Sequence, residues 1–90
     1  MKRRVKILVS GRVQGVGFRH FTWKMAVKLG ILGSVRNLGD GRVEIIAESG
    51  TLSLDEFILA CQTGPVGSRV DKLELSEMDL LTKSSSFEIK

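Results

Sequence analysis

The stretch Val9-Ser10-Gly11-Arg12-Val13-Gln14-Gly15-Val16-Gly17-Phe18-Arg19 joins two hydrophobic periods that cannot belong to one element. Before it, Val5, Ile7 and Val9 alternate with Lys6, Leu8 and Ser10, the period-two pattern of a strand. After it, Phe18, Phe21, Met25 and Leu29 recur at helical spacing, with Ala26 beside them and His20, Lys24 and Lys28 on the wet side. The chain must therefore leave a strand and enter a helix through a turn that spends three glycines and two arginines. A plain connection needs neither.

The rest of the chain continues that alternation. Gly30 reads as a left-handed cap closing the first helix. Ser34 to Leu38 and Arg42 to Glu48 read as strands, joined by a tight turn at Gly39-Asp40-Gly41. Val43, Ile45 and Ala47 share one strand face, and Gly50 ends that strand. Ser53-Leu54-Asp55-Glu56 fits a capping box, with Leu52 and Phe57 at the staple positions. Leu54, Phe57, Ile58 and Cys61 form the apolar stripe of a second helix, which Gly64-Pro65 stops. Val70 to Leu75 reads as a fourth strand. A polar link at Ser84-Ser85-Ser86 leads to Phe87 and Ile89, a possible short fifth strand.

The resulting order is βαββαβ, an α+β ferredoxin-like sandwich with two helices on one face of an antiparallel sheet. Right-handed crossovers make the first two strands parallel, with the third antiparallel between them. The ends of the first two strands then lie at one edge of the sheet. That brings the glycine turn and Asn37 together, with Asn37 on the same strand face as Val35.

The 90 residues have room for one core, so a single domain over residues 1–90 is expected. No apolar run approaches the ~20 residues of a membrane span, and Val5 to Val9 is too short for a signal core. One cysteine, Cys61, excludes an internal disulfide and a multi-cysteine metal site. A cytoplasmic monomer is expected. The net charge of +4 is uneven: residues 1–45 hold ten Lys/Arg against Asp40 and Glu44, and the second half is acidic. Charge alone does not separate an anionic partner from a scattered, solvated surface.

Helix N-termini present unpaired amides and a partial positive charge. Glycines let the preceding backbone curl so that more amides converge, which suits an anion such as phosphate. Arg19 in the first helical turn opposes the macrodipole, a small penalty that a gripped anion would offset. The alternative is a glycine turn required only for close packing of helix on sheet, with Arg19 in water. The turn is not a P-loop, since no Gly-Lys-Ser/Thr follows.

Gly11 to Arg19 resembles the acylphosphatase signature G-x-V-Q-G-V-x-F-R. Val35-Arg36-Asn37-Leu38-Gly39-Asp40-Gly41-Arg42-Val43-Glu44 is similar to the second motif of that family, V-x-N-x-x-D-G-x-V-E. The resemblance extends over nearly the whole chain. It implies that the backbone of Gln14, Gly15, Val16, Gly17, Phe18 and Arg19 cradles a phosphate, that Arg19 clamps its oxygens and that Asn37 holds the attacking water. The implied substrate is a small acyl phosphate, released as carboxylate and inorganic phosphate, with no metal and no cofactor. Many members carry an aromatic residue where this chain has Ser34. Ser34 alternates to the face opposite Asn37, so packing is expected to change rather than chemistry.

One histidine and one cysteine would be a poor inventory for most hydrolases. An acyl phosphate asks for less. Its leaving group is a carboxylate whose acid has a pKa near ~4, so no general acid is required. Positioning and charge stabilisation suffice, and a neutral Asn37 does not repel the incoming anion.

Several residues have plainer readings. Asparagine near a turn is often structural, His20 falls on the wet stripe, Cys61 reads as an inert buried thiol, and Trp23 sits at the helix edge. Lys2, Arg3 and Arg4 read as a frayed terminus. Gly15 to Phe21 imitates part of an RNA-binding RNP1 pattern, but that pattern belongs on a third strand, and Arg42 to Glu48 carries no aromatic residue. No nucleic-acid or membrane partner is expected. A non-catalytic phosphate-binding domain is the remaining rival, and similar domains occur inside larger carbamoyl-transferring proteins.

Overall fold

The computed structural model describes residues 1–80 and 85–90. Ser84 of the expected polar link lies outside them. The elements are β1 Lys2–Arg12, α1 Phe18–Leu29, β2 Leu32–Asn37, β3 Val43–Gly50, α2 Thr51–Thr63, β4 Arg69–Met78 and β5 Phe87–Ile89. The strands form one sheet in the order β4-β1-β3-β2-β5. β1 pairs antiparallel with β3 and β4, and β2 antiparallel with β3, so β1 and β2 run parallel as expected. β5 pairs parallel with β2, which makes the five-stranded sheet mixed rather than purely antiparallel.

The alternation in β1 places Val5, Ile7 and Val9 in the core. They meet Val43, Ile45 and Ala47 of β3, Val35 of β2 and the helical residues Phe18, Leu54, Phe57 and Cys61. The other sheet face is polar and tied by charge. Glu44 receives Arg36 Nε at 2.8 Å and faces Lys6 Nζ at 3.7 Å, so one carboxylate on β3 links β2 and β1. Burial pushes the Cys61 thiol up to about 12 and keeps it neutral.

Three local expectations change. In α1 the fully buried face is Phe18, Thr22 and Ala26, while Phe21, Met25 and Leu29 are half-buried. Thr22 is tolerated in the core because its Oγ1 donates to the Phe18 carbonyl at 2.8 Å. In α2 the capping box is not used. The helix begins at Thr51 directly out of β3, with no side-chain cap, and Leu52 is exposed rather than stapled. The reason is strand pairing: β1 holds β3 up to the Lys2–Gly50 pair, and the Met1 carbonyl accepts the Thr51 amide at 3.2 Å.

The expected frayed terminus is part of β1. Arg3 Nη2 lies 2.6 Å from Glu77 Oε2 of β4 and Arg3 Nη1 3.8 Å from Asp55 of α2. The β2–β3 hairpin closes through the expected turn at Gly39-Asp40-Gly41. The Gly41 amide donates to Leu38 O at 3.3 Å and the Leu38 amide to Arg42 O at 2.8 Å, with only Gly41 left-handed. This is the three-residue connection built on a type I turn. The expected left-handed cap at Gly30 and the stop at Gly64 are both present.

Candidate active site

The turn between β1 and α1 is bent without internal hydrogen bonds. Gly15 and Gly17 have φ of 74° and 78°. A Cβ at either position would meet nothing within 4 Å. Close packing of helix on sheet is therefore not why these glycines are there. Their left-handed backbone is, since a β-carbon there is strained by its own peptide rather than by neighbours. Gly11 differs: its close approach to the Arg69 carbonyl of β4 coincides with the register shift between Ser10 and Gly11.

Left-handed residues alternating with Val16 aim successive amides at one side of the turn. Gly17 is the N-cap of α1 and makes no side-chain cap, and no acidic residue occupies the first turn. The first bond closing the helix is Phe21 N to Gly17 O at 3.0 Å. Among the described residues the amides of Gly15 to His20 donate to no protein acceptor. A run of unpartnered amides at the positive end of a twelve-residue helix is a geometry that suits an anion.

A cavity of about 300 Å³ opens over these amides, lined by Val13, Gly15, Gly17, Phe18, Arg19, His20, Asn37 and Ile89. Five of the sequence-derived candidates meet there: Gly15, Gly17, Phe18, Arg19 and Asn37. Phe18 can offer only its backbone, because its side chain is 1% exposed and belongs to the core. Asn37 arrives from the end of β2 and is exposed, on the same strand face as buried Val35.

Gln14 and Val16 do not line the cavity. Val16 packs against the core. Gln14 turns its side chain the other way, and Nε2 donates to Leu38 O at 2.7 Å and to Arg42 O at 2.9 Å. It therefore ties the glycine turn to both ends of the loop that follows Asn37. Any part Gln14 takes in holding an anion falls to its amide.

Arg19 Nη1 donates to the Lys90 main-chain oxygen at 3.1 Å, which draws the guanidinium towards the end of β5. Among the described residues Arg12, Arg19, Lys24 and Lys28 form no ion pair, and they lie at the end of β1 and along α1. The nearby carboxylate of Asp40 is occupied by Arg42, whose amide and Nε approach at 3.1 and 2.7 Å. The Arg42 amide bond is the main reason the Asp40 carboxyl is held below its ordinary range. Of Arg12, Arg19, Lys24 and Lys28, only Arg19 lines the cavity.

Three lining residues were not among the site residues expected from the sequence: Val13, His20, which was read as a surface residue, and Ile89. His20 stands beside Arg19 on the helix, and its ring stacks on Trp23 with centroids 5.9 Å apart and planes at 22°. The adjacency was visible, but the exposed stripe masked it. Ile89 reaches the cavity only because β5 docks parallel to β2, which no local pattern announces.

Comparison with known proteins gives one consistent result. The acylphosphatase family profile matches residues 5–89. The chain is similar to an acylphosphatase of Syntrophotalea carbinolica, at 45% identity over 87 residues, covering 97% of this chain and 95% of that one. It is similar in structure to acylphosphatase from Bacillus subtilis, with TM-score 0.94 and 40% identity, covering 100% of this chain and 99% of the other. It also matches 12% of the chain of T. kodakarensis HypF, at TM-score 0.86 and 32% identity over 98% of this chain.

Proposed function

The chain belongs to the acylphosphatase family, and on that premise we propose that it hydrolyses acyl phosphates at the cavity over the glycine turn, without metal, using Arg19, Asn37 and backbone amides. The observation that carries this reading is the convergence of Gly15, Gly17, Arg19 and Asn37, from two separate segments, on one cavity.

The phosphate sits against the unpartnered amides from Gly15 onwards, with the Arg19 guanidinium on its oxygens. These donors are fixed before the substrate arrives, so they stabilise the charge spread over the equatorial oxygens without reorganising. Asn37 accepts one hydrogen bond from a water and donates another to it, placing its oxygen in line with phosphorus. The water oxygen bonds to phosphorus as the bond to the acyl oxygen breaks. The acyl oxygen leaves as a carboxylate with the bonding pair, and the proton of the water passes to a phosphate oxygen. The products are a carboxylate and inorganic phosphate.

Hydrolysis of acetyl phosphate by the purified protein in excess chelator tests the reading. The parent is expected to turn over. Arg19→Ala is expected to lose ~10²–10³-fold in kcat/KM, the range for removing one preorganised donor, and to weaken inhibition by inorganic phosphate. Asn37→Ala is expected to lower kcat while leaving phosphate inhibition within about twofold, because its partner is the water. A folded parent that is protected by phosphate against unfolding but shows no turnover would leave a binding domain in place of an enzyme.

A further inference from the structure

We infer that Asp40 is a positioning residue for the reaction: its carboxylate grips the main chain of Arg42, and through it the peptide that follows Asn37, so that the Asn37 side chain is aimed at the cavity. The inference rests on the function proposed above and adds to it a residue that touches neither phosphate nor water.

Asn37 has to be aimed by its backbone. Among the described residues its side chain makes no hydrogen bond. It is the last residue of β2, and strand pairing supports it on one side only. β3 meets it through the Asn37–Val43 pair, whereas β5 pairs with β2 only from Gly33 to Val35. The remaining constraint on its orientation is the loop that begins at Leu38.

In that loop the Arg42 residue is the node. Its carbonyl accepts the Leu38 amide at 2.8 Å and Gln14 Nε2 at 2.9 Å. The Leu38 amide lies in the same rigid peptide plane as the Asn37 carbonyl, so the first bond sets the direction in which the chain leaves Asn37. The second ties the same oxygen to the glycine turn. Both bonds need Arg42 to be held, and Asp40 holds it twice. The Arg42 amide donates to Asp40 Oδ1 at 3.1 Å and Arg42 Nε to Asp40 Oδ2 at 2.7 Å. Glycines flank Asp40 on both sides and give the loop a freedom that this grip removes. The Arg69–Asp71 pair of β4 has the same spacing in sequence, with Nε to Oδ1 at 2.8 Å and Nη2 to Oδ2 at 3.2 Å. It joins side chains alone, and β4 contributes nothing to the cavity lining.

The experiment measures acetyl phosphate hydrolysis by the parent, Asp40→Ala, Asp40→Asn and Asp71→Ala. Asp40→Ala is expected to lower kcat about 3- to 10-fold, with KM and inhibition by inorganic phosphate within about twofold of the parent. Asp40→Asn keeps an oxygen for the Arg42 amide and is expected to restore kcat to within about twofold. Asp71→Ala removes the same charge and leaves kcat unchanged. Amide exchange followed by NMR reads the loop without turnover. The Leu38 amide is expected to exchange about 3- to 10-fold faster in Asp40→Ala, and at the parent rate in Asp40→Asn and Asp71→Ala. Turnover by the parent with kcat unchanged in Asp40→Ala overturns the positioning role and spares the proposed function. A loss of kcat that Asp40→Asn leaves unrestored also overturns it, because the grip on the Arg42 amide is then not the cause. An unaltered Leu38 exchange rate in Asp40→Ala overturns the grip whatever the turnover. A folded parent without turnover overturns the proposed function and the positioning role with it.

Discussion

Gln14 carries the least expected chemistry of any single residue here. Its place in the signature stretch points to a phosphate cradle, yet its side chain bridges the carbonyls of Leu38 and Arg42, 24 and 28 positions along the chain. That Arg19 and Asn37 would meet was readable because their motifs lie in contiguous residues and the topology puts both at one sheet edge, and both line one cavity. The Gln14 clamp was not, because its acceptors are main-chain atoms that carry no residue signal. Gln14→Ala is expected to lower stability by about 1 kcal/mol, the net worth of a partly buried hydrogen bond. It should also depress kcat more than KM, since the loop it ties begins next to Asn37. Thermal unfolding and steady-state kinetics on the same preparation separate the two effects. A fall in melting temperature with unchanged kcat would make the clamp purely structural.

Elements were legible to different depths. Strand and helix identities followed from period, and the caps at Gly30 and Gly64 from residue chemistry. The start of α2 did not follow, although Ser53 to Glu56 matched a capping pattern, because pairing of β1 with β3 carries the strand directly into the helix. The buried face of α1 rotated to admit Thr22, which side-chain polarity alone argued against. β5 is the smallest element and the most consequential for the site. It supplies Ile89 to the cavity and leads to the Lys90 oxygen that holds Arg19. Phe87 anchors it, 6% exposed and edge-on to Phe57 at 6.0 Å. Phe87→Ala is expected to cost about 3 kcal/mol, the lower end for a buried phenylalanine at a sheet edge. Inhibition by inorganic phosphate should weaken in parallel at temperatures where the variant remains folded. Denaturant unfolding and phosphate titration check the pair. Lost stability with full phosphate affinity would show that β5 does not position the site.

Across the whole molecule, charge divides into a paired part and an unpaired part. The acidic second half meets the basic first half through Arg3 with Glu77 and Asp55 and through Arg4 with Glu48. Among the described residues, the cations left without an ion pair include Arg12 at the end of β1 and Arg19, Lys24 and Lys28 on α1. Three carboxyls sit below their ordinary pKa: Asp40 through the Arg42 amide, Asp71 through the Arg69 side chain and Glu77 through the Arg3 side chain. A depressed folded pKa means the folded state holds the carboxylate more firmly than the unfolded chain does. The contribution is therefore fully present above the unfolded value near ~4 and is lost as pH falls through the lower folded values. Melting temperature should be flat from about pH 7 to 5 and decline below about 4. All three groups are exposed, so the decline should be gradual and smaller at high salt. Circular dichroism melts across that range check it, and a melting temperature that rises on acidification would contradict the sign.

By itself the sequence determined the order of elements and the glycine turn and marked Arg19 and Asn37 as candidates, because periodicity, left-handed backbone and motif are properties of neighbouring residues. Tertiary structure alone decided what closes the site around them. The Gln14 clamp spans 24 residues and the Arg19 contact with Lys90 spans 71. Each depends on the register and direction of strands that meet only once the sheet has formed. A one-residue slip would turn every side chain on a strand to the other face. Local chemistry wrote the participants, and long-range pairing chose their partners.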